Sequence, residues 1–383
     1  MSILNDSLLG RYLLWRAPSP RDLHRFPSAA VDGGGSLPRP DDAAAPPALA
    51  ELKLPPTGRW PGGSLRALLE GSSSTAFVVL RGGAVAFEWY APGWNGWTVG
   101  RTMSVTKSVT SLMVGQAIGD GRLPGIDAPI GDLVADILDA GVARLTLAQL
   151  LRMDSGMRFR ESLLPWQDSA RVYHGSRLRQ QTLRVPLSDP VGQYFHYNDW
   201  HPLLLALALE RVSRSPVAGV LSRGLWAPLG GGNASLSLDH EGTGALAHLD
   251  CGFNASAYGL ARFGQLVLKR GRWEGESLVP EGWMARLDDL SDAWHAPEHF
   301  AYYVDRRLPW GRPLSSGNYA YKDFWWHHCP AAGVHDLFAM GALGAHVYVS
   351  RDTDCVIVRL ADRFPPGLWW AGLLRQVAEA TAA

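Results

Sequence analysis

Strand-like patterns lie at both ends of the chain. Apolar runs at 75–80 and 84–90, separated by a glycine pair, are typical of a β-hairpin. Near the C-terminus, runs at 346–350 and 355–360 with polar residues between them predict a second hairpin. Since strands distant in sequence can join one antiparallel sheet, we expect a single sheet flanked by helices, an α+β arrangement.

Helical periodicity dominates the middle of the chain. Apolar residues recur at helical spacing over 104–118, 128–140, 147–153, 200–212, 257–268 and 368–380. These patterns predict a mostly helical part over 104–239, set between α/β segments at 65–103 and 240–383. The preceding residues, 1–64, are rich in Pro, Gly and Ala, and this composition favours an extended arm with little regular structure.

Composition narrows the range of partners. Lys plus Arg and Asp plus Glu both number 36, so a zero net charge gives no reason to expect a nucleic-acid or membrane partner. Three dispersed cysteines argue against a disulfide framework. Arginines interrupt every apolar run near the N-terminus, so we expect no signal peptide and a cytoplasmic protein. The oligomeric state is open, with a homodimer as one candidate.

A Ser-x-x-Lys pair, Ser104 and Lys107, stands at the predicted start of the 104–118 helix. A spacing of three places both side chains on one helix face, about 5–6 Å apart at Cβ. Free N–H groups and the dipole at a helix N-terminus stabilise anionic charge. A serine needs a neighbouring base, and a lysine can be that base when burial and positive neighbours lower its pKa. The alternative is an ordinary capped helix with an exposed lysine.

Segments on either side of this pair extend the pattern. They are 102–110 (TMSVTKSVT), 119–129 (GDGRLPGIDAP), 145–156 (LTLAQLLRMDSG), 192–199 (GQYFHYND) and 258–266 (YGLARFGQL). In this order they resemble the β-lactamase and penicillin-binding-protein family of serine hydrolases over roughly 65–375. The resemblance implies a β-lactamase/DD-peptidase-like fold, with Ser104 as the acylated nucleophile and Lys107 as a proton-handling partner.

The resemblance also assigns a second motif, Tyr-x-Asn, to residues 197–199. It implies that Tyr197 shares protons with Lys107 and relays one to the leaving group, whereas Tyr194, three residues earlier, is a decoy. Asp199 occupies the position of the motif's asparagine. Because an ionised carboxylate cannot donate a hydrogen bond, this change argues against β-lactam and peptidoglycan substrates.

The family's third motif, Lys-Thr-Gly, is replaced by a glycine-rich segment over 338–349 (FAMGALGAHVYV). This segment resembles that of 6-aminohexanoate-dimer hydrolases and related esterases. The resemblance implies an oxyanion hole formed by the backbone N–H groups of Ser104 and Ala342, with Gly341 allowing close approach of the backbone. The alternative is an ordinary β-turn.

These observations predict an esterase or amidase that acts on a small ester or linear amide. Further candidate contacts to substrate are Asp199, Gly341, and Trp166 and Tyr173 in the 161–188 loop. Two alternatives remain open: a β-lactamase or DD-peptidase, and a catalytically idle ligand-binding protein on the same fold.

Two histidine clusters are weak candidates for metal ligands. His295 and His299 match an inverted zinc-protease spacing, but Pro297 disfavours the continuous helix that this motif requires. The adjacent His327 and His328 have no second pair at zinc-site spacing. We therefore expect no metal, and since no nucleotide-binding fingerprint occurs, no cofactor.

Overall fold

The computed structural model describes residues 7–43, 48–58, 60–162, 164–308, 310–363 and 367–382. The start of the N-terminal arm (1–6) and part of its Ala/Pro-rich run (44–47) lie outside the described residues. No helix of the described ranges is long and apolar enough to cross a bilayer.

The strands form one large sheet, one smaller sheet and short ribbons. Their bounds are β1 Ser28–Val31, β2 Lys53–Leu54, β3 Gly63–Ser64, β4 Ser74–Arg81, β5 Ala84–Tyr90, β6 Val99–Arg101, β7 Ala234–Ser237, β8 Phe253–Ser256, β9 Arg272–Trp273, β10 Glu276–Ser277, β11 Tyr319–Lys322, β12 Trp325–Ala331, β13 Val334–Met340, β14 His346–Ser350 and β15 Cys355–Ala361. The large sheet has the order β11-β12-β13-β14-β15-β4-β5.

The α-helices occupy the ends and the middle of the chain. Their bounds are α1 Leu8–Trp15, α2 Leu65–Gly71, α3 Val105–Gly119, α4 Ile130–Leu133, α5 Ala140–Ala143, α6 Leu147–Leu151, α7 Asp168–His174, α8 Leu178–Thr182, α9 Trp200–Ser213, α10 Val217–Leu221, α11 Ala257–Leu268, α12 Glu281–Asp288, α13 Ala301–Val304, α14 Gly311–Leu314 and α15 Trp370–Ala382. Short 3₁₀ turns lie at Pro20–His24, Leu49–Glu51 and Pro297–Phe300.

Both predicted hairpins are confirmed, and they meet in the large sheet. β4 pairs with β5 and β14 pairs with β15, each antiparallel. β15 then pairs with β4, so that Val358 lies opposite Val78 and the two ends of the chain share one sheet. This sheet with its helices confirms the α+β prediction.

Helix α3, which begins directly after Ser104, is largely buried. It packs against the sheet strands β12 and β13 on one side and against α9 on another. Its buried positions run around the helix rather than along one stripe, as expected for a helix at the centre of a domain. This burial gives Ser104, at the N-terminus of α3, a rigid support.

The N-terminal arm has more regular structure than its composition predicts. It contains α1, capped by the Ser7 side chain, and β1, which pairs antiparallel with β7 in a four-stranded sheet of order β1-β7-β8-β6. Pairing with β7 supplies backbone hydrogen-bond partners that the arm's own sequence cannot reveal. The 1–64 boundary of the arm remains a prediction.

The predicted 128–140 helix is instead two short helices, α4 and α5. Val134, at the end of α4, has a φ of −131°, outside the helical range. Asp139 then caps α5, because its carboxylate accepts hydrogen bonds from the backbone N–H groups of Gly141 and Val142 at 2.8 and 2.9 Å. The side-chain cap starts a new helix where the apolar pattern suggests a continuous one.

Candidate active site

Ser104 occupies the N-cap position of α3, directly after a strained residue. Met103 has a φ of +51°, which is uncommon for a residue with a side chain. Hydrogen bonds hold the turn: Thr102 Oγ1 donates to the Phe253 carbonyl at 2.7 Å, and Thr106 Oγ1 donates to the Met103 carbonyl at 2.6 Å. The turn therefore fixes where the partly buried Ser104 hydroxyl points.

Lys107 is 1% exposed and contacts three acceptors. Its Nζ lies 3.0 Å from Ser104 Oγ, 2.7 Å from the Asp250 backbone carbonyl and 2.7 Å from Asp199 Oδ1. An ammonium group has three N–H donors and no acceptor, so these contacts use all of them.

The charges around Lys107 favour its protonated form. Burial alone would lower its pKa, but the charges of Asp199, Tyr197 and Asp250 outweigh that effect and raise the pKa above its usual range. From the sequence, one possibility was that Lys107 has a lowered pKa and acts as the base. The structure differs because it surrounds Lys107 with carboxylates and not with positive neighbours.

Tyr197 lies beside this lysine, with Lys107 Nζ 4.7 Å from the centre of its ring. Burial raises the pKa of the phenol, while the nearby Lys107 charge and the Ser104 hydroxyl act in the opposite direction. Trp310 and Trp326 pack against the ring. The phenol therefore belongs to the same group as Ser104 and Lys107.

The backbone around Tyr197 is also held in place. Its N–H donates to the Tyr303 hydroxyl at 3.0 Å, and that hydroxyl donates to the Glu161 carboxylate at 2.9 Å. Tyr194 instead stacks on Tyr302, at 6.0 Å between ring centres. The structure thus brings Tyr197, and not Tyr194, to Lys107.

Asp199 is the N-cap residue of α9 and closes the site from the side of the helical part. Its side chain is 26% exposed, so it is both paired with Lys107 and open to a ligand. Burial raises its pKa, against the lowering effect of Lys107. Its neighbour Asn198 donates to the Met157 carbonyl and accepts from the Trp200 backbone N–H, which fixes the start of α9. Asn198 was not among the predicted site residues.

The glycine-rich turn after β13 lies against the segment that leads to Ser104. A Cβ on Gly341 would stand 2.1 Å from the Thr102 carbonyl oxygen and 3.0 Å from Met103 Cβ. Only glycine allows this approach. The turn is closed by hydrogen bonds from the Gly341 N–H to Ala345 and from the Gly344 N–H to Gly341, both 2.8 Å.

Two backbone amides at this junction are free to donate. Within the described part of the chain, neither the Ser104 N–H nor the Ala342 N–H has a hydrogen-bond acceptor. One amide begins α3 and the other follows Gly341, so the Gly341–Thr102 contact sets them on adjoining segments. Free N–H groups of this kind are suited to holding an anionic oxygen.

A buried His-x-Asp-Cys group underlies Lys107. The ligand atoms of His248, Asp250 and Cys251 lie within 4.8 Å of one another, and His248 Nδ1 is 3.1 Å from Asp250 Oδ1. The group could offer a metal three ligands. Burial would raise the pKa of Asp250, but His248 and Lys107 lower it overall. The group was not among the predicted site residues, although the short spacing of His248, Asp250 and Cys251 is visible in the sequence.

The remaining candidates lie in different surroundings. Trp166 is 66% exposed, on the 161–188 loop. Tyr173 is buried in a cluster with Met103, and its hydroxyl donates to Asp22 at 2.6 Å. Substrate contact by either residue remains a prediction.

The two histidine clusters have no geometry typical of a metal site. The stretch at Pro297–Phe300 is a 3₁₀ turn, so His295 and His299 do not lie on one α-helix. His327 and His328 alternate on β12, where the first ring lies near His335 and the second near Tyr348.

Comparison with known proteins assigns the family. The sequence model of the β-lactamase family matches residues 64–382, which is most of the chain. The chain therefore belongs to the β-lactamase family, as the resemblance of its motifs implied.

Individual relatives refine this position. A 6-aminohexanoate-dimer hydrolase of Paenarthrobacter ureafaciens is 26% identical over 325 residues, covering 80% of this chain and 77% of that protein. A structure from Bacillus anthracis, named as a candidate 6-aminohexanoate-dimer hydrolase, has a TM-score of 0.77 at 20% identity and covers 100% of this chain and 97% of its own. A penicillin-binding protein from Bacillus halodurans has a TM-score of 0.61 at 15% identity, over 82% and 99%. The two structures establish the fold alone.

Proposed function

We propose that this protein is a serine hydrolase that cleaves an ester or a linear amide through an acyl-enzyme on Ser104. The observation that carries the proposal is the contact of Ser104 Oγ with Lys107 Nζ at 3.0 Å, at the start of a buried helix and beside the Tyr197 phenol. Membership of the β-lactamase family supports this reading. Ser104, Lys107 and Tyr197 are the catalytic residues of the proposed reaction.

The three contacts of Lys107 favour Tyr197 as the immediate base. Lys107 has no lone pair with which to accept the Ser104 proton, because its N–H groups already face Ser104, Asp250 and Asp199. Its positive charge instead stabilises the Tyr197 phenolate, the form that accepts the proton. The acid and base roles then belong to a coupled Tyr–Lys unit.

The reaction then proceeds in two halves. Ser104 Oγ attacks the carbonyl carbon while its proton passes to the Tyr197 phenolate, and the Ser104 and Ala342 N–H groups hold the resulting oxyanion. Collapse of this intermediate breaks the bond to the leaving alcohol or amine, which takes the proton from Tyr197. Water then attacks the acyl-enzyme by the same proton route and frees the acid.

The charge of the site supports esters and linear amides over β-lactams. Asp199, 26% exposed, adds a negative charge to the site, which disfavours an anionic substrate such as a β-lactam. Gly341 and Ala342 stand where the family's Lys-Thr-Gly would supply a cation. The 6-aminohexanoate-dimer hydrolase named above acts, by its name, on a linear amide.

The proposal is tested by labelling with a fluorophosphonate probe and mapping the modified peptide. We expect one adduct, on Ser104, together with turnover of p-nitrophenyl esters or of short linear amides. The matched control is Ser104→Ala, which should lose both labelling and turnover while its unfolding temperature stays unchanged. Labelling at another residue, or full turnover by Ser104→Ala, would overturn the nucleophile assignment.

A further inference from the structure

A cavity of about 290 Å³ opens beside the helical part, and arginines dominate its wall. It is lined by Arg158, Arg171, Arg177, Gln180, Gln181, Arg184, Val185 and Trp200. The lining includes none of Ser104, Lys107, Tyr197 and Asp199, so the cavity is separate from the site described above.

The arginines of this cavity have almost no countercharge. The carboxylate nearest to Arg158 is that of Asp168. The two side chains are 3.7 Å apart, which is beyond hydrogen-bond distance. The side chains of Arg171, Arg177 and Arg184 have no ion pair and no hydrogen bond within the described ranges. Four guanidinium groups, which stay charged at any physiological pH, therefore face one small space.

A neighbouring arginine shows the contrast. Arg179, on α8 like Gln180 and Gln181, does not line the cavity, and its Nη2 lies 2.7 Å from the Glu210 carboxylate. An arginine that only supports the packing of these helices is thus given an acidic partner. The cavity arginines are not, so an anion entering the cavity would meet positive charges with little opposing negative charge.

Buried donors in the cavity wall also lack acceptors. Arg158 Nε and Trp200 Nε1 are both buried and have no hydrogen-bond partner among the described residues. Trp200 is 1% exposed, so bulk water does not satisfy its N–H. An unpaired buried donor destabilises the folded chain, and an acceptor inside the cavity would satisfy it.

We propose that this cavity binds a small oxyanion carrying two or more negative charges, such as a phosphate ester, a diphosphate or a polycarboxylate. Guanidinium groups bind such oxygens through paired, charge-assisted hydrogen bonds. The cavity volume admits a group of a few phosphates or carboxylates and excludes a nucleic-acid helix.

The cavity is connected to the candidate active site through the backbone. Trp200 directly follows Asp199, and the backbone N–H of Trp200 donates to Asn198 Oδ1 at 2.9 Å. Asn198 Nδ2 in turn donates to the Met157 carbonyl, next to Arg158. An anion held by both Arg158 and Trp200 would link the segment at Met157 to the start of α9, and binding to the folded form alone would stabilise it.

The test is isothermal titration of the full chain with pyrophosphate and, separately, with citrate, at fixed ionic strength and pH. We expect saturable binding of one anion per chain and a matching rise in unfolding temperature. The double variant Arg171→Gln/Arg184→Gln should weaken binding at least tenfold. The matched control, Arg66→Gln, removes an exposed arginine on α2 and should bind as the parent does.

The two anions separate the ligand sources. Tighter binding of pyrophosphate favours a phosphorylated ligand, and tighter binding of citrate favours a polycarboxylate. Absence of saturable binding of both, or equal binding by the double variant and Arg66→Gln, would overturn the proposal. Should the double variant unfold, the exposed Arg177→Gln gives the same comparison, and an unchanged affinity there would count against the cavity.

Discussion

Asp199 sets the charge state of the candidate catalytic group. Its carboxylate lies 2.7 Å from Lys107 Nζ, and its charge raises the pKa of both Lys107 and Tyr197. If the Tyr197 phenolate is the base, catalysis requires loss of a proton from a phenol whose pKa lies above its usual value. We therefore expect kcat/KM to rise with pH well into the alkaline range.

The substitution Asp199→Asn tests this origin of the alkaline dependence. Removing the negative charge lowers the pKa of Tyr197 and of Lys107, so the rise of kcat/KM should move to lower pH by about 1 unit or more. The measurement is the pH profile of ester hydrolysis. The control is Asp292→Asn, which removes the partner of another buried lysine, Lys322. A profile that moves equally in both variants, or in neither, would contradict the role of Asp199.

The sequence alone could predict that Ser104 and Lys107 lie together, but it could not predict the protonation state of Lys107. Ser104 and Lys107 are three positions apart, so helix geometry brings them together. Asp199 and the Asp250 carbonyl reach Lys107 from more than 90 residues away. The direction of the pKa shift of Lys107 depends on these distant acceptors, which no local pattern reveals.

The contact between the turn after β13 and the start of α3 positions the two free amides. Gly341→Ala would place a methyl group 2.1 Å from the Thr102 carbonyl oxygen, a backbone atom that cannot move without displacing Ser104. We expect kcat/KM to fall by about 10²-fold, the typical loss for one oxyanion donor. Stability should fall by about 1–3 kcal/mol through overpacking, measured by urea unfolding.

Gly372→Ala is the matched control for this substitution. Gly372 lies within α15, and a Cβ there would meet no atom within 4 Å. Since alanine favours a helix more than glycine does, this variant should be at least as stable as the parent and fully active. Full activity in Gly341→Ala as well would show that the turn does not hold the site.

Helices and strands with a regular apolar pattern were predictable from the sequence. Strands that are recognisable only by the neighbouring strands they pair with were not. The 257–268 pattern gives the bounds of α11, and the two hairpins follow from apolar runs around polar or glycine turns. By contrast, β12 is Trp-Trp-His-His-Cys-Pro-Ala, with no polar-apolar alternation, because most of it is buried between β11 and β13. Burial on both faces removes the alternation that identifies a strand.

At the scale of the whole molecule, the N-terminal arm packs beneath the turn that leads to Ser104. Trp15 and Phe26 of the arm share a buried cluster with Met103, Leu343 and Tyr173. The arm also buries a charge: Asp22 is fully enclosed and pairs with Arg25 at 2.9 Å. The composition of the arm suggests a loose segment, whereas its contacts make it part of the support of Ser104.

The hydroxyl of Tyr173 joins the arm to the body through its 2.6 Å hydrogen bond to Asp22. Tyr173→Phe leaves a buried carboxylate with one donor fewer, so the free energy of unfolding should fall by about 1–3 kcal/mol, measured by urea denaturation. The control Tyr302→Phe removes a hydroxyl that has no hydrogen bond within the described residues and should leave stability unchanged. If Tyr173 only joins the arm, KM stays constant while stability falls. A raised KM with unchanged stability would instead assign Tyr173 to the substrate pocket, and the arm would then be held by its apolar contacts and by the pairing of β1 with β7.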